Sequence, residues 1–297
     1  MRPGFFILAA VLGVKPAPAA QAGDARGEAP DTRLAAALPE VSQAAATFWH
    51  QAPDYMARET LNQKALTLPK RRLRVGRDAT EPPKPEFLHR EIVSYYALSS
   101  FRASSEALHE FREIVSVDGE TVTAAAGARS KLAEKISGHD DKTRKALLAD
   151  FEKASLAVTA TDFGQLILLF TKRNLVKYDF ALRGSALVGA DRAMLVDFHQ
   201  SGGAEALRVS GPGKEAREPL SGQLWIREAG SVPLRITLET SRREHSRKIR
   251  DEARVDYEAK SDGLVLPVSV VYRRFVDDEL HVEAIYQYSD WQPVTAK

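Results

Sequence analysis

The chain has 297 residues, which is enough for one large hydrophobic core or two smaller ones, and its formal net charge is only +2. A nucleic-acid-binding surface usually needs a clear excess of basic residues, so this balance argues against a nucleic acid partner. The chain contains no cysteine, which excludes disulfides, thiolate metal sites, cysteine nucleophiles and the lipid-modified cysteine of a lipoprotein.

The first 22 residues have the features of a secretory signal peptide. Arg2 precedes the apolar run FFILAAVLGV at 5–14, and Ala20-Gln21-Ala22 fits the small-residue pattern of a signal peptidase site. The run is too short to span a bilayer, which takes about 20 residues; an uncleaved membrane anchor is the alternative. We therefore predict cleavage after Ala22 and export to the periplasm. Because this removes Arg2 and Lys15 and no acid, the mature chain would have no net charge.

Residues 23–31 are predicted to form a linker, and residues 32–297 a single β-rich domain with a helical insertion at about 130–170. The domain begins with a helix that Asp31 or Thr32 can cap. Pro39 falls inside this helix, so either the helix bends there or a second segment begins. The apolar residues of the helix recur at three- and four-residue spacing, which places them on one face: Leu34, Leu38, Val41, Ala45, Phe48 and Trp49.

Three strands are predicted next, because the hydrophobic period changes to two. They cover residues 55–68, 86–102 and 108–117, and Asp118-Gly119 marks the tight turn that ends the third strand. A basic, proline-rich connector at 69–85 separates the first two strands.

Residues 130–170 are helical in character. Ser130 can cap one helical segment and Asp140 or Asp141 another, while the apolar run FGQLILLF at 163–170 favours a third. Helices inserted between strands are typical of an α+β domain rather than of an alternating βαβ fold.

The C-terminal half has the clearest strand pattern. Apolar and charged residues alternate in successive segments between residues 176 and 288, and glycines or Asp277-Asp278 mark the turns between them. This pattern predicts an antiparallel meander with one apolar face and one charged face. The apolar face needs a cover, which the predicted helices can provide.

The motifs for catalysis or metal binding are incomplete. His109-Glu110-Phe111-Arg112-Glu113 lacks the second histidine of the H-E-x-x-H zinc motif, and its surroundings alternate like a strand. Gly211-Pro212-Gly213-Lys214 lacks the first glycine of a phosphate loop, and His139-Asp140-Asp141 is placed to cap a helix. Three serines lie beside a glycine but outside any G-x-S-x-G elbow: Ser185, Ser210 and Ser221. We therefore predict no enzymatic activity, no metal and no cofactor.

Two stretches of the chain are rich in basic residues. Residues 70–77 contain five basic side chains and no acid, and residues 242–254 contain six basic side chains and three acids. We interpret them as a solvated connector and a charged hairpin tip. Contact with anionic lipid headgroups is the alternative.

Aromatic side chains are frequent in the predicted meander and near the end of the first helix. They can be ordinary core residues, or they can line a cavity between sheet and helices in which a lipid or acyl chain buries its apolar surface. The candidate ligand-binding residues of such a cavity are Phe48, Trp49, Trp225, Tyr257, Tyr272 and Tyr286.

Motifs in the last predicted strands resemble those of a known family. Gly222-Gln223-Leu224-Trp225-Ile226, followed by Val232-Pro233-Leu234-Arg235-Ile236, is similar to the G-x-L-W-I-D…P-x-R pattern of outer-membrane lipoprotein-sorting proteins and their LolA/LolB-like relatives. Leu264-Val265-Leu266-Pro267 and Tyr286-Gln287-Tyr288-Ser289-Asp290-Trp291 resemble the end of that pattern. The resemblance covers about 175–291. Glu228 stands where the family usually has an aspartate, and residues 86–170 have no counterpart in it.

The resemblance implies an α+β fold in which a strongly curved antiparallel β-sheet, an unclosed half-barrel meander, wraps over covering α-helices. It also implies an apolar concavity that holds acyl chains. The leading hypothesis is a periplasmic protein that binds or carries a lipid or a lipoprotein acyl chain. One alternative is a non-catalytic structural or protein-interaction module of the cell envelope, with a packed interior and a protein partner. An enzyme of unfamiliar type is the other.

Overall fold

The structure, a computed structural model, describes residues 32–67, 84–102, 104–138, 140–157, 162–202, 219–244, 246–261 and 263–294. The predicted signal peptide at 1–22, the linker at 23–31 and the basic stretch at 70–77 lie outside the described residues. His139 and the turn at 211–214 also lie outside them.

Eleven strands of the described residues form one antiparallel sheet. They are β1 (Tyr55–Thr67), β2 (Glu86–Phe101), β3 (Ser104–Val117), β4 (Glu120–Thr121), β5 (Tyr178–Val188), β6 (Asp191–Gln200), β7 (Ser221–Arg227), β8 (Pro233–Glu244), β9 (Arg247–Ala259), β10 (Val265–Val276) and β11 (Glu279–Pro293). Their order in the sheet is β4-β3-β2-β1-β11-β10-β9-β8-β7-β6-β5. Among these strands β4 and β5 lie at opposite edges and do not pair with each other. The predicted α+β fold with an unclosed, curved antiparallel sheet is confirmed.

The described helices are α1 (Thr32–Gln51), α2 (Ala125–Ser137), α3 (Asp141–Ala154) and α4 (Lys172–Leu175), with 3-10 helices at Ala52–Asp54 and Phe163–Phe170. α1 runs through Pro39 as one helix. α2 begins before the predicted cap at Ser130, because the alanines of its first turn also favour helix. Asp140 caps α3 as predicted and accepts hydrogen bonds from the backbone N–H of Lys142 (2.9 Å) and the hydroxyl of Thr143 (2.7 Å). In the described ranges no helix is both long enough and apolar enough to cross a membrane.

The inner face is the sheet face that carries Leu61, Tyr286 and Val255, and it forms the main hydrophobic core. Residues that point to it are aligned across the strands, as Leu61 shows by pairing with both Ile92 and Tyr286. α1 and the 3-10 helix at Phe163–Phe170 pack against this face and against each other. The inner face is therefore sheltered by helices, as the strand alternation requires.

The outer face is the opposite side of the sheet, and it differs between the two halves of the sheet. Along β5 to β10 it is rich in charged residues, as the alternation predicted. Over β2 and β3 it is covered by α2 and α3, whose Leu132 and Leu147 join Phe111, Ala97 and Met56 in a second, smaller core. Both faces are therefore buried at this end, because apolar residues also occupy its outward positions.

Gly222 on β7 lies where the backbone of β8 and the ring of Phe198 leave no room for a side chain. A Cβ at this position would collide with the backbone carbonyl oxygen of Thr237 and would lie 2.9 Å from the Phe198 ring. A Cβ at Gly127 in α2 would meet nothing within 4 Å.

We predict that Gly222→Ala lowers the free energy of unfolding by about 1–3 kcal/mol, because an overpacked core must shift its backbone. The matched control Gly127→Ala should raise it by roughly 0.5–1 kcal/mol, because alanine loses less entropy in a helix. Urea unfolding followed by circular dichroism measures both changes. Equal midpoints for Gly222→Ala and the unsubstituted protein would contradict the close approach.

Candidate functional site

Four of the six predicted ligand-binding residues lie together in the main core and are almost fully shielded from solvent: Phe48 (0% exposed), Tyr257 (5%), Tyr272 (1%) and Tyr286 (3%). The fifth, Trp49, is half-buried and packs against the same core. The structure therefore places these five residues on one apolar surface, as expected for a site built on the inner face.

Trp225 lies on the other side of the sheet. Its neighbours Leu224 and Ile226 are buried on the inner face, so the alternation of β7 places the indole on the outer face. The ring lies 5.8 Å from the guanidinium carbon of Arg235. Trp225 is thus separated from the other candidate residues by the thickness of the sheet.

The inner face is covered by the 3-10 helix Phe163–Phe170, which we call the cover segment. Phe163 stacks on Tyr272 with ring centroids 5.1 Å apart, and Phe170 meets Phe198 edge to face at the same distance. Ile167 is fully buried between these two contacts. The apolar run that predicted a third helical segment therefore fills the concave side of the sheet.

A few polar contacts fix the first turn of the cover segment to the sheet. The hydroxyl of Tyr257 donates to the carbonyl oxygen of Gly164 and accepts from the backbone N–H of Ile167, both at 3.1 Å. The backbone N–H of Gly164 donates to a carboxylate oxygen of Glu110 at 2.8 Å. A Cβ on Gly164 would lie 2.9 Å from that oxygen and 3.0 Å from the hydroxyl of Tyr96, so glycine permits the approach.

Glu110 belongs to a group of three buried charged residues, Glu59, Glu110 and Arg112, which we call the charge cluster. The guanidinium of Arg112 binds Glu59 through two hydrogen bonds of 2.7 and 2.9 Å and Glu110 through one of 2.7 Å. The three side chains are at most 3% exposed. The rings of Tyr96, Phe151 and Tyr286 lie 4.5–5.5 Å from the guanidinium carbon. The charge cluster is thus a buried polar group surrounded by the aromatic side chains of the core.

The charge cluster holds two carboxylates against one guanidinium, so its charges do not balance. Burial, together with the neighbouring carboxylates of Asp162 and Glu59, raises the pKa of Glu110 to about 7 against the lowering effect of Arg112. Burial alone would lower the pKa of Arg112, but Glu59 and Glu110 hold it above its ordinary value. Glu110 is therefore the titratable link between the cluster and the cover segment.

The charge cluster was missed in the sequence, although its positions carry a signal. Leu108, Glu110, Arg112 and Ile114 share one face of β3, and Glu59 lies between the inward residues of β1. Charged residues at the inward positions of an otherwise apolar strand face indicate a buried ion pair. His109 and Glu113, which occupy the two histidine positions of the incomplete H-E-x-x-H motif, lie on the outward side of the same strand.

The basic stretch 242–254 forms much of the β8–β9 hairpin, and its charges are extensively paired. Asp251 is 4% exposed and accepts hydrogen bonds from Arg242 (2.5 Å), Arg274 (2.8 Å) and the hydroxyl of Tyr272 (2.6 Å). Burial would raise the pKa of Asp251, but Arg274 and these hydrogen bonds bring it below its ordinary value. The pairing supports the interpretation of this stretch as a charged hairpin, and it fixes Tyr272 in the core.

A groove of about 820 Å³ crosses the outer face from β5 to β10 and contains residue types that could suggest catalysis. Asp179, His199 and Ser221 are cross-strand neighbours there. Ser221 donates its hydroxyl hydrogen to the backbone oxygen of Glu239 (3.4 Å) instead of to His199. No group of three or more His, Cys, Asp or Glu in the described ranges is placed to hold a metal ion. The groove therefore lacks the hydrogen-bonded order of a serine triad.

No protein-family model matches the chain, and no curated protein matches it. The solved structures that are similar to it include the following three. A DUF1329 family protein from Desulfovibrio piger is 11% identical, with 88% of this chain and 93% of that chain covered and a TM-score of 0.37. A LolA superfamily protein from Nitrosomonas europaea is 9% identical, with 86% and 93% covered and a TM-score of 0.31. A putative outer membrane lipoprotein-sorting protein domain from Vibrio parahaemolyticus is 9% identical, with 88% and 93% covered and a TM-score of 0.34.

Two of these structures bear the family names that the strand motifs of this chain resemble. At such low TM-scores and identities the likenesses carry no information on function. The function is therefore inferred from this chain's own residues.

The raised pKa of Glu110 predicts how stability depends on pH. Between about 4.5 and 7 the folded state keeps a proton that the unfolded state releases, so the free energy of unfolding should fall as pH rises. The fall is at most about 1.4 kcal/mol per pH unit. Glu110→Gln should flatten it, because the amide cannot ionise and still accepts from Gly164.

Urea unfolding at a series of pH values tests this dependence. The control variant Glu134→Gln, at an exposed position of α2, should keep the slope of the unsubstituted protein. An identical slope in the Glu110→Gln variant would show that Glu110 is not the responsible group.

Proposed function

We propose that the chain is an exported periplasmic protein that binds or carries the acyl chain of a lipid or lipoprotein on the inner face of its sheet. The observation that carries the proposal is the position of the cover segment. An apolar segment of eight residues, two short helical turns joined by a kink, lies across an aromatic concave surface, in the place that an acyl chain would take. In this proposal the cover segment packed on the sheet is a closed state that an acyl chain would open.

The geometry of the cover segment supports an exchange with an acyl chain. The segment consists of two short 3-10 helices joined by a kink at Gln165 (φ −101°, ψ 20°), and 3-10 helices have poorer hydrogen bonds than α-helices. Asp162, which precedes the segment, has a φ of +74°, a conformation that is costly for a residue other than glycine. An acyl chain on the inner face would bury apolar surface worth about 25 cal/mol per Å². The ligand would therefore replace much of the stabilisation that the segment provides.

Export is part of the proposal and is supported by the signal-peptide features of residues 1–22. The zero net charge that cleavage would leave also suits a carrier better than a protein that stays on an anionic surface.

A non-catalytic structural or interaction module of the envelope is the second candidate function. The nearly complete burial of the inner-face aromatic residues favours it, because a packed interior needs no ligand. The cover segment would then be a permanent part of the core. The two candidates differ in whether the segment can leave the sheet.

Native mass spectrometry of the protein purified from the periplasm tests the leading candidate. We expect adducts with the masses of diacyl phospholipids or fatty acids. We also expect the polypeptide to have the mass of a chain whose first residue is Gly23. A chain that stays free of lipid, even after incubation with phospholipid vesicles, would contradict the carrier function and leave the packed module.

Tyr257→Phe should increase the lipid-bound fraction several-fold. The change keeps the ring and removes the hydroxyl that binds Gly164 and Ile167, and unmet buried hydrogen bonds cost about 1–3 kcal/mol. The control Tyr95→Phe, which removes a hydroxyl from a residue packed against the smaller core, should leave the fraction unchanged. A bound fraction that falls in Tyr257→Phe, or that rises equally in both variants, would contradict the role of the cover segment.

A further inference from the structure

The strand β5 leaves one edge of the sheet open. It is 11 residues long and pairs with β6 on one side, and no other described strand lies on its second side. Its sequence, YDFALRGSALV, contains neither proline nor lysine, the residues that often protect sheet edges. Arg183 forms a bulge between Leu182 and Gly184 that bends the strand, so the regular part of this edge runs from Asp179 to Leu182 and Arg183 follows it directly.

The opposite edge of the sheet is protected. Its last strand, β4, has two residues, and α2 and α3 pack against the neighbouring β3. Short edge strands and covering helices are the usual means of preventing a further strand from pairing. The contrast suggests that the edge at β5 is kept open for a partner.

The charges of this edge are complementary to themselves. Asp179 and Arg183 both line the groove on the outer face, while Phe180 and Leu182 pack at the margin of the main core. If two copies of β5 pair antiparallel about Ala181, Asp179 of each copy lies opposite Arg183 of the other. Ala181 then faces Ala181 across the two-fold axis, where a small side chain fits, and Phe180 faces Leu182. Opposite charges at directly facing positions stabilise a strand pair.

Exposed apolar side chains flank the same edge. Val176 is 83% exposed and Leu187 is 70% exposed, and both are among the most exposed large hydrophobic residues of the described chain. In the pairing centred on Ala181, the Leu187 end of one copy lies beside the Val176 end of the other. The contact would therefore bury apolar surface at both ends of the strand pair.

We propose that the chain forms a two-fold symmetric dimer through antiparallel pairing of its β5 edges, centred on Ala181, which joins two sheets into one. The second copy fits this edge because a symmetric interface uses the same patch twice, and this patch complements itself in charge and size. The proposed strand pairing uses no residue of the charge cluster or of the cover segment, although Phe170 of the cover segment contacts the rings of Tyr178 and Phe180. The dimer does not require the proposed ligand.

Sedimentation velocity of the purified protein across a wide range of concentrations tests the dimer. The unsubstituted protein should shift from monomer to dimer as its concentration rises. Asp179→Arg and Arg183→Asp should each raise the dissociation constant about tenfold or more, because each places like charges opposite one another twice. Lys153→Glu, at an exposed position of α3, is the charge control and should not change the dissociation constant.

Mixing the two charge variants tests the proposed register of the strand pair most directly. A heterodimer of Asp179→Arg with Arg183→Asp again places opposite charges at both facing positions, so the mixture should recover dimer that neither variant forms alone. Arg183→Asp also removes an ion pair with Asp197; if it does not fold, Asp179→Arg remains a test of the register. A protein that stays monomeric at all concentrations overturns the proposal. A dimer that is equally tight in Asp179→Arg, or a mixture that recovers nothing, also overturns it.

Discussion

The charge cluster is the constraint on which the inner face depends. Burying one guanidinium and two carboxylates in an apolar core is expensive unless each charge has partners, and here the partners include residues that are distant in sequence. Arg112 of β3 reaches Glu59 of β1, and Glu110 takes its remaining hydrogen bond from the backbone of Gly164. Burial raises the pKa of Glu110 to about 7, although Arg112 acts to lower it. The cluster therefore fixes β1, β3 and the cover segment to each other.

The strand pattern predicted the sheet well because alternation depends on local sequence. The bounds of β1 and β2 differ from the predicted ones by one residue, and the Asp140 cap formed as expected. Burial of the outer face over β2 and β3 was not predicted, since Phe111 and Ala97 meet α2 and α3 only in three dimensions. The charge cluster was missed for the same reason: a charged residue on a strand shows no partner until the strands are in register.

The candidate site was predicted in part. The helix and strand periods place four of the candidate residues on the inner face: Phe48, Tyr257, Tyr272 and Tyr286. The alternation of side chains along β7 places Trp225 on the outer face. The occupant of the concave side could not be read from the sequence, because FGQLILLF predicts a buried helix without showing what it covers. In the structure this segment occupies the ligand's proposed place, so binding requires a two-state element. A closed state held by a few buried hydrogen bonds suits such an element.

The central claim is that the cover segment leaves the inner face when an acyl chain binds. Hydrogen exchange of the backbone amides, measured by mass spectrometry with and without a diacyl phospholipid, tests it most directly. Peptides that contain Gly164 and Ile167 should lose protection when lipid is added, while those from β10 and β11 should keep theirs. Equal protection of the cover segment in both conditions, with lipid demonstrably bound, would contradict the claim.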